Sequence, residues 1–175
     1  MIFGKQVPGG LWLPVVGQVA MLSLVTTELE FPTSAADNVY VALDCVAADM
    51  ALSGSTAGWT LGDEAELTWS GADTTCLIAA TATLGTNVVN AYSGFAYAKN
   101  ADVIGQAQVS APALAAGEML FRNAVAAFVD ANFTVLRRVT LTNGDKVKPA
   151  GSLDFPAAGN VLEMANMVVA LFMGA

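Results

Sequence analysis

The sequence predicts a mainly β protein, built as an antiparallel sandwich or barrel, with a jelly roll as one form of it. Several short segments alternate apolar and polar residues, which is the period of a half-buried strand. Turn-forming residues separate these segments at short spacing, as in all-β domains. Only one segment, near residues 113–131, has the apolar spacing of a helix. Because strands do not alternate regularly with helices, a parallel α/β sheet is not expected.

The predicted strands follow from alternation and from the turns between them. Residues 59–61 and 65–70 are joined by Gly62-Asp63-Glu64, a turn that contains Gly and Asp. Residues 47–58 are rich in small residues and predict a loop. Residues 88–99 fit either a strand or a short helix. Further strands are predicted at residues 27–31, 38–46, 74–84, 102–110, 133–141 and 146–148.

Three later features complete the predicted fold. The apolar residues between 112 and 131 recur at i, i+3, i+4 and i+7 among many alanines, which predicts one helix over 113–131. Asn143-Gly144 is a strong hairpin signal between two strands. Residues 161–173 fit a strand or a helix, and the Val-Val-Ala-Leu-Phe run favours the strand.

The chain divides into an N-terminal arm, residues 1–17, and a single β-rich domain, residues 18–175, with an apolar C-terminal segment. Pro8-Gly9-Gly10 and Pro14 break regular structure in the arm, although its other residues are large and apolar. An apolar arm must lie against its own domain or against another chain. The candidate partner-contacting residues, all large and apolar, are therefore Ile2, Phe3, Leu11, Trp12, Leu13, Met167, Phe172 and Met173.

The composition favours a protein that is covered by other protein chains. Only 13% of the residues are charged and 55% are hydrophobic, whereas globular domains carry about 25% charged residues. We therefore expect a homo-oligomer. No membrane span is expected, because polar residues or Pro interrupt the apolar stretches at 11–25 and 160–175. No secretion signal is expected either, because Pro8 and Pro14 break the apolar region that it needs.

The residue inventory argues against catalysis, a cofactor or a metal. The chain has no histidine, which excludes Ser-His-Asp and Cys-His machinery. No phosphate-binding glycine motif is present. Cys45 and Cys76 lie in apolar contexts and predict buried free thiols, with a bridge between adjacent strands as the alternative. Nucleic acid is not an expected partner, because residues 1–98 hold one base and nine acids.

Asp63, Glu64 and Glu66 lie between Trp59 and Trp69. The cluster predicts a solvated turn, with calcium binding as a weaker reading. If the two indoles were exposed on one face, they could instead bind a carbohydrate or a receptor. The alternative function is therefore that of a β-sandwich binding module, such as one from the tail or fibre of a virus.

The overall character of the chain resembles the small capsid decoration or cement proteins of tailed bacterial viruses. The resemblance depends on the start Met1-Ile2-Phe3-Gly4, the Ala/Thr-rich segment 74–84 and the apolar end 168–175. It implies a β-rich, often trimeric virion protein, assembled in the host cytoplasm and without a cofactor. Such a protein binds capsid or other virion subunits and stabilises the contacts between them.

Overall fold

In the computed structural model, the chain forms two large antiparallel sheets and one small ribbon. The structure describes residues 5–6, 10, 12–13, 18–26, 29–32, 41–43, 45–87, 92–100, 102–104, 120–122, 131–153 and 161–174. The strands are β1 Lys5–Gln6, β2 Trp12–Leu13, β3 Val19–Leu24, β4 Leu29–Pro32, β5 Val41–Ala42, β6 Met50–Gly54, β7 Trp59–Leu61, β8 Leu67–Trp69, β9 Thr74–Thr86, β10 Tyr92–Lys99, β11 Asp102–Ile104, β12 Leu120–Arg122, β13 Ala131–Leu141, β14 Lys146–Leu153 and β15 Val161–Met173. A single 3₁₀ turn, Ala47–Asp49, precedes β6.

The six-stranded sheet has the order β13-β9-β15-β3-β6. Its centre is formed by β9 and β15, each 13 residues long. The first part of β15 pairs with β4 and the second part with β3, so β3 and β4 flank β15 on the same side. The register of β15 against β9 shifts between Met164 and Asn166. This bulge adds one residue, so that Met164 and Met167 both lie in the core.

The seven-stranded sheet has the order β11-β10-β14-β8-β7, with β12 on β10 and β5 on β14. Alternate residues of both sheets point into the space between them and form one core. The Tyr97 hydroxyl donates to Met167 Sδ at 3.6 Å and joins the two sheets inside that core. Burial raises the pKa of Tyr97 well above its usual value. The predicted antiparallel β-sandwich is therefore confirmed.

Most of the strand predictions are confirmed. The turn between β7 and β8 is closed by Gly62 N–H donating to the Glu66 carbonyl at 2.8 Å. Residues 74–86, 92–99 and 161–173 are strands, which resolves both ambiguous segments. The loop prediction for 47–58 is wrong in part, because β6 lies within it. Pairing with β3 supplies the order that these small residues do not encode.

The predicted helix over 113–131 is wrong as one continuous element. Residues 120–122 form β12, which pairs antiparallel with β10 through Leu120 and Gly94. Pairing with a neighbouring strand overrides local helix propensity here. Residues 113–119 and 123–130 lie outside the described residues.

Asn143-Gly144 forms the predicted tight turn, but not a hairpin. Asp145 N–H donates to the Thr142 carbonyl at 3.0 Å, and Gly144 has a φ of +90°. The flanking strands belong to different sheets, since β13 pairs with β9 and β14 pairs with β10 and β8. The turn therefore carries the chain from one sheet to the other.

Asp145 holds this crossing turn in place. Its carboxylate accepts hydrogen bonds from the Thr142 N–H at 2.7 Å and from Asn100 Nδ2 at 2.9 Å, and Lys99 Nζ lies 2.9 Å away. Burial alone would raise the pKa of Asp145. The hydrogen bonds from Asn100, Thr142 and Lys99 outweigh it and hold that pKa well below its usual range. The crossing turn is thus tied to the end of β10.

The N-terminal segment contains regular structure that the sequence did not predict. Lys5 pairs with Leu13 and Gln6 with Trp12 in an antiparallel ribbon. Gly10, between the two strands, has a φ of +81°, a value that glycine adopts without strain. Gly10 is the one breaker of this segment among the described residues, and it lies between the two paired strands. In the described part of the chain, no helix has the length and apolar character needed to span a bilayer.

Candidate interaction surface

Alternation in the six-stranded sheet separates a buried face from a second face, here called the outer face. Along β9, Cys76, Ile78 and Ala80 are buried, while Leu77 and Ala79 between them are partly exposed. Residues paired across antiparallel strands share a face, so the register places the rest of the outer face. It consists of alternate residues of β13, β9, β15, β3, β4 and β6.

The middle of the outer face is apolar. One row runs across four strands from Leu136 through Ala79 and Ala170 to Met21. The next row contains Arg138, Leu77, Phe172 and Val19. Small side chains occupy the centre of the first row and large ones its ends. The neighbouring row on the other side is Thr134, Thr81, Val168, Ser23 and Ala51, which is only weakly polar.

Within the described part of the chain, the exposed large apolar side chains are associated with this sheet. The exposed large apolar side chains are Met21 at 40%, Val25 at 57%, Val46 at 51%, Leu136 at 56% and Phe172 at 36%. All five lie on the six-stranded sheet or in segments next to its strands, and none lies on the seven-stranded sheet. Met21, Leu136 and Phe172 share the outer face by strand register. Single exposed apolar residues are common, but several on one face mark an interaction surface.

The predicted partner-contacting residues divide into four groups, of which the fourth is Met167 and Met173. Ile2, Phe3 and Leu11 lie outside the described residues, and Trp12 and Leu13 form β2. Phe172 lies on the outer face.

Met167 and Met173 need a correction. They are 0% and 2% exposed, because they point to the buried face of β15. Their side chains fill this chain's own core and are not available to a partner. Alternation along β15 separates them from Phe172, which lies one residue before Met173.

Four outer-face residues, Leu136, Met21, Ala79 and Ala170, are not distinguished by the sequence alone. Each is an apolar residue at an outward position of a strand whose inward positions are also apolar. The signal was therefore present as strands that are apolar on both faces, such as β3 and β15. Assigning the faces requires the strand register, which the sequence does not provide.

Trp59 and Trp69 are paired in the core. They lie opposite each other on β7 and β8, with ring centroids 5.2 Å apart, and are 6% and 0% exposed. Trp69 Nε1 donates to the Ala72 carbonyl at 3.0 Å. The two rings share a face, but they do not form the exposed platform that stacking on a sugar would need.

The acidic turn beside the tryptophans is solvated and partly neutralised by lysines. Asp63 and Glu64 are exposed. Lys148 Nζ lies 3.4 Å from Glu64 Oε2, and Lys146 Nζ lies 3.1 Å from Glu66 Oε1. Burial would raise the pKa of Glu66, but its own backbone N–H and Lys146 lower it. Among the described residues, no group of three acidic or cysteine side chains is arranged to hold a metal ion.

Cys45 and Cys76 are free and buried, which confirms the thiol prediction. Burial raises the pKa of the Cys76 thiol to about 12. Because only the thiolate reacts, we expect no alkylation of Cys76 by iodoacetamide at pH 8 in the folded protein. The same reagent should label it quickly in 6 M guanidinium chloride, where the ordinary thiol pKa is about 8.5. Peptide mass spectrometry reads out both states, and rapid labelling of the folded chain would contradict this account.

Comparison with known proteins establishes the fold and no more. No protein-family model and no curated protein matches this sequence. Solved structures with a similar fold include the Eiger TNF of S. frugiperda, with a TM-score of 0.54 and 11% identity, covering 90% of this chain and 93% of that one. They also include murine APRIL at pH 5.0, with a TM-score of 0.55 and 8% identity, covering 89% and 98%. The chain is thus a β-sandwich whose fold is similar to the folds of these two proteins.

Proposed function

We propose that this chain is a non-catalytic structural protein that works as a homo-oligomer assembled through the outer face of its six-stranded sheet. The observation that carries the proposal is the apolar row from Leu136 to Met21, which continues across four neighbouring strands. Burying an apolar face against another chain lowers the free energy of the assembled state, because water leaves the apolar surface. Each 100 Å² of apolar surface that is buried contributes about 2.5 kcal/mol before ordering costs.

The low charge of the outer face, in contrast to the net charge of the whole chain, supports self-association over binding to a charged partner. The chain carries a net charge of −8, so identical copies repel one another at long range. The middle rows of the outer face include only one ionisable side chain, Arg138. The nearly uncharged middle of the face can be buried between copies without desolvating charges there, which would cost several kcal/mol per ion.

Within this class, we propose that the oligomer coats a protein shell, such as a virion capsid, and stabilises the contacts between shell subunits, with a trimer favoured. The support is the low content of charged residues, the large apolar residues of the N-terminal segment and the lack of histidine chemistry. Many copies on one shell would add their contacts, so that each contact can be weak.

Leu136→Asp tests the assembly step. A carboxylate at this position would have to leave water when copies associate, so the concentration for half-dissociation should rise at least tenfold. The matched control is Thr60→Asp, at an exposed position of β7 in the other sheet. Sedimentation velocity over a dilution series measures both variants. Equal behaviour of the two variants would place the contact elsewhere on the molecule.

The shell role has a separate test. The chain should co-purify from its native source with large particles, in a fixed ratio to one abundant shell protein. Size-exclusion chromatography followed by quantitative mass spectrometry gives that ratio. Recovery of the chain only in small free oligomers would reject the shell role and leave the assembly proposal standing.

A further inference from the structure

The two edges of the six-stranded sheet carry opposite charges beside exposed apolar residues. On β13, the outer face presents Leu136, which is 56% exposed, and the exposed Arg138. We call this pair the basic edge. The exposed Glu30 lies on β4, on the opposite side of the sheet, and its pairing with Glu163 next to Gly85 places it on the outer face.

The opposite side of the sheet also carries two exposed valines. Val25 and Val46 are 57% and 51% exposed. Both are held beside Asp49, since Val25 N–H donates to its carbonyl at 2.8 Å and Val46 N–H to its Oδ2 at 3.3 Å. Val25, Glu30, Val46 and Asp49 together are called the acidic edge. Each edge thus combines apolar side chains with one sign of charge.

The charges at these edges form no ion pair within the described part of the chain. Lys99, Lys146 and Lys148 form ion pairs with Asp145, Glu66 and Glu64. Among the described residues, Arg138, Glu30 and Asp49 belong to no such pair. Three strand spacings separate β13 from β4 and four separate β13 from β6, about 14 Å and 19 Å. The two edges of one copy therefore cannot neutralise each other.

We infer that the basic edge of one copy docks against the acidic edge of a second copy of this chain. This inference rests on the proposed homo-oligomer and specifies its arrangement. Two unlike surfaces in contact make a head-to-tail interface, which closes into a ring when the rotation between copies allows it. A two-fold contact of like edges would instead place Arg138 near Arg138, or Glu30 near Glu30. Like charges across an interface disfavour that arrangement.

Charge reversal at the two edges tests the arrangement. Arg138→Glu and Glu30→Lys should each raise the half-dissociation concentration at least tenfold at low salt, because each places like charges in contact. The double variant should return to within about threefold of the original chain. Asp73→Lys is the matched control, because it makes the same charge change as Glu30→Lys at an exposed turn away from both edges. Asp49 is left unchanged because its carboxylate accepts the Val46 hydrogen bond.

The outcomes separate this inference from the proposed function. If the original chain is an oligomer and both reversals match Asp73→Lys, the head-to-tail arrangement is rejected and the homo-oligomer remains. If the original chain is monomeric at every concentration, both proposals are rejected. Thermal melting of each variant checks that it is folded.

Engineered cysteines give an independent readout. Because Cys45 and Cys76 are buried, new surface thiols can be followed separately. Leu136→Cys and Val25→Cys should not cross-link alone under mild oxidation, but their mixture should yield disulfide dimers. Cross-linking of Leu136→Cys with itself would show a two-fold contact and overturn the inference.

Discussion

Replacing Trp69 with alanine is expected to lower the free energy of unfolding by about 4 kcal/mol, the largest effect of any single change considered for this chain. The indole is fully buried and packs 5.2 Å from Trp59. Its Nε1 also donates to the Ala72 carbonyl. The substitution would remove a large apolar volume and leave the partly buried Ala72 carbonyl without this donor.

Urea denaturation followed by circular dichroism measures this loss. Thr60→Ala is the control, because Thr60 is exposed on the strand next to β8 and should change the stability by less than about 0.5 kcal/mol. A loss below about 1 kcal/mol for Trp69→Ala would mean that Trp69 is not a core residue.

The second large effect is expected for Asp145→Ala, a loss of about 3 kcal/mol. The carboxylate holds the crossing turn through Thr142, Asn100 and Lys99, so its removal leaves Lys99 without its charge partner. The backbone of this turn also bonds to Trp69, with Gly144 N–H donating to the Trp69 carbonyl at 2.7 Å. Loosening the turn should therefore also weaken the hydrogen bonding at the end of β8. Denaturant unfolding measures the free energy of unfolding of this variant. Asp73→Ala is the control, because it removes an exposed turn carboxylate.

The same carboxylate predicts how stability depends on pH. The pKa of Asp145 is lower in the folded chain than the value of about 3.9 in an unfolded one. The folded state therefore gains stability from the ionised group, fully above about pH 4, and loses it as the pH falls further. Melting temperatures between pH 2 and 7 should show this fall, and Asp145→Asn should reduce it. Parallel curves for the two proteins would assign the acid sensitivity to other groups.

Local patterns in the sequence predicted strands well, because alternation is a local property. β8 and β9 both follow from it, and the turn between β7 and β8 follows from its own Gly and Asp residues. The predictions fail where pairing with a strand that is distant in the sequence decides the local structure. Residues 120–122 have helical spacing and still form a strand, because β10 offers them a partner. β6 has few large residues and depends on β3 for its order.

The sequence predicted that the chain has a surface for other chains, but not where that surface lies. Low charge and a high apolar content indicated contact with other chains, but did not indicate which residues make it. Phe172 and Met173 are adjacent apolar residues, and only the pairing of β15 with β9 and β3 shows that one faces out and the other in. Asn143-Gly144 likewise predicts a turn, whereas its crossing between sheets depends on the partners of β13 and β14.

The central claim is that the outer face of the six-stranded sheet holds identical copies together. The most direct test is the molar mass of the purified chain in solution, measured by multi-angle light scattering over a wide concentration range. We expect a closed oligomer whose mass is a small whole multiple of 17.9 kDa, three-fold in the favoured case. A mass of 17.9 kDa at every concentration would contradict it, because the apolar outer face would then remain in water without a partner.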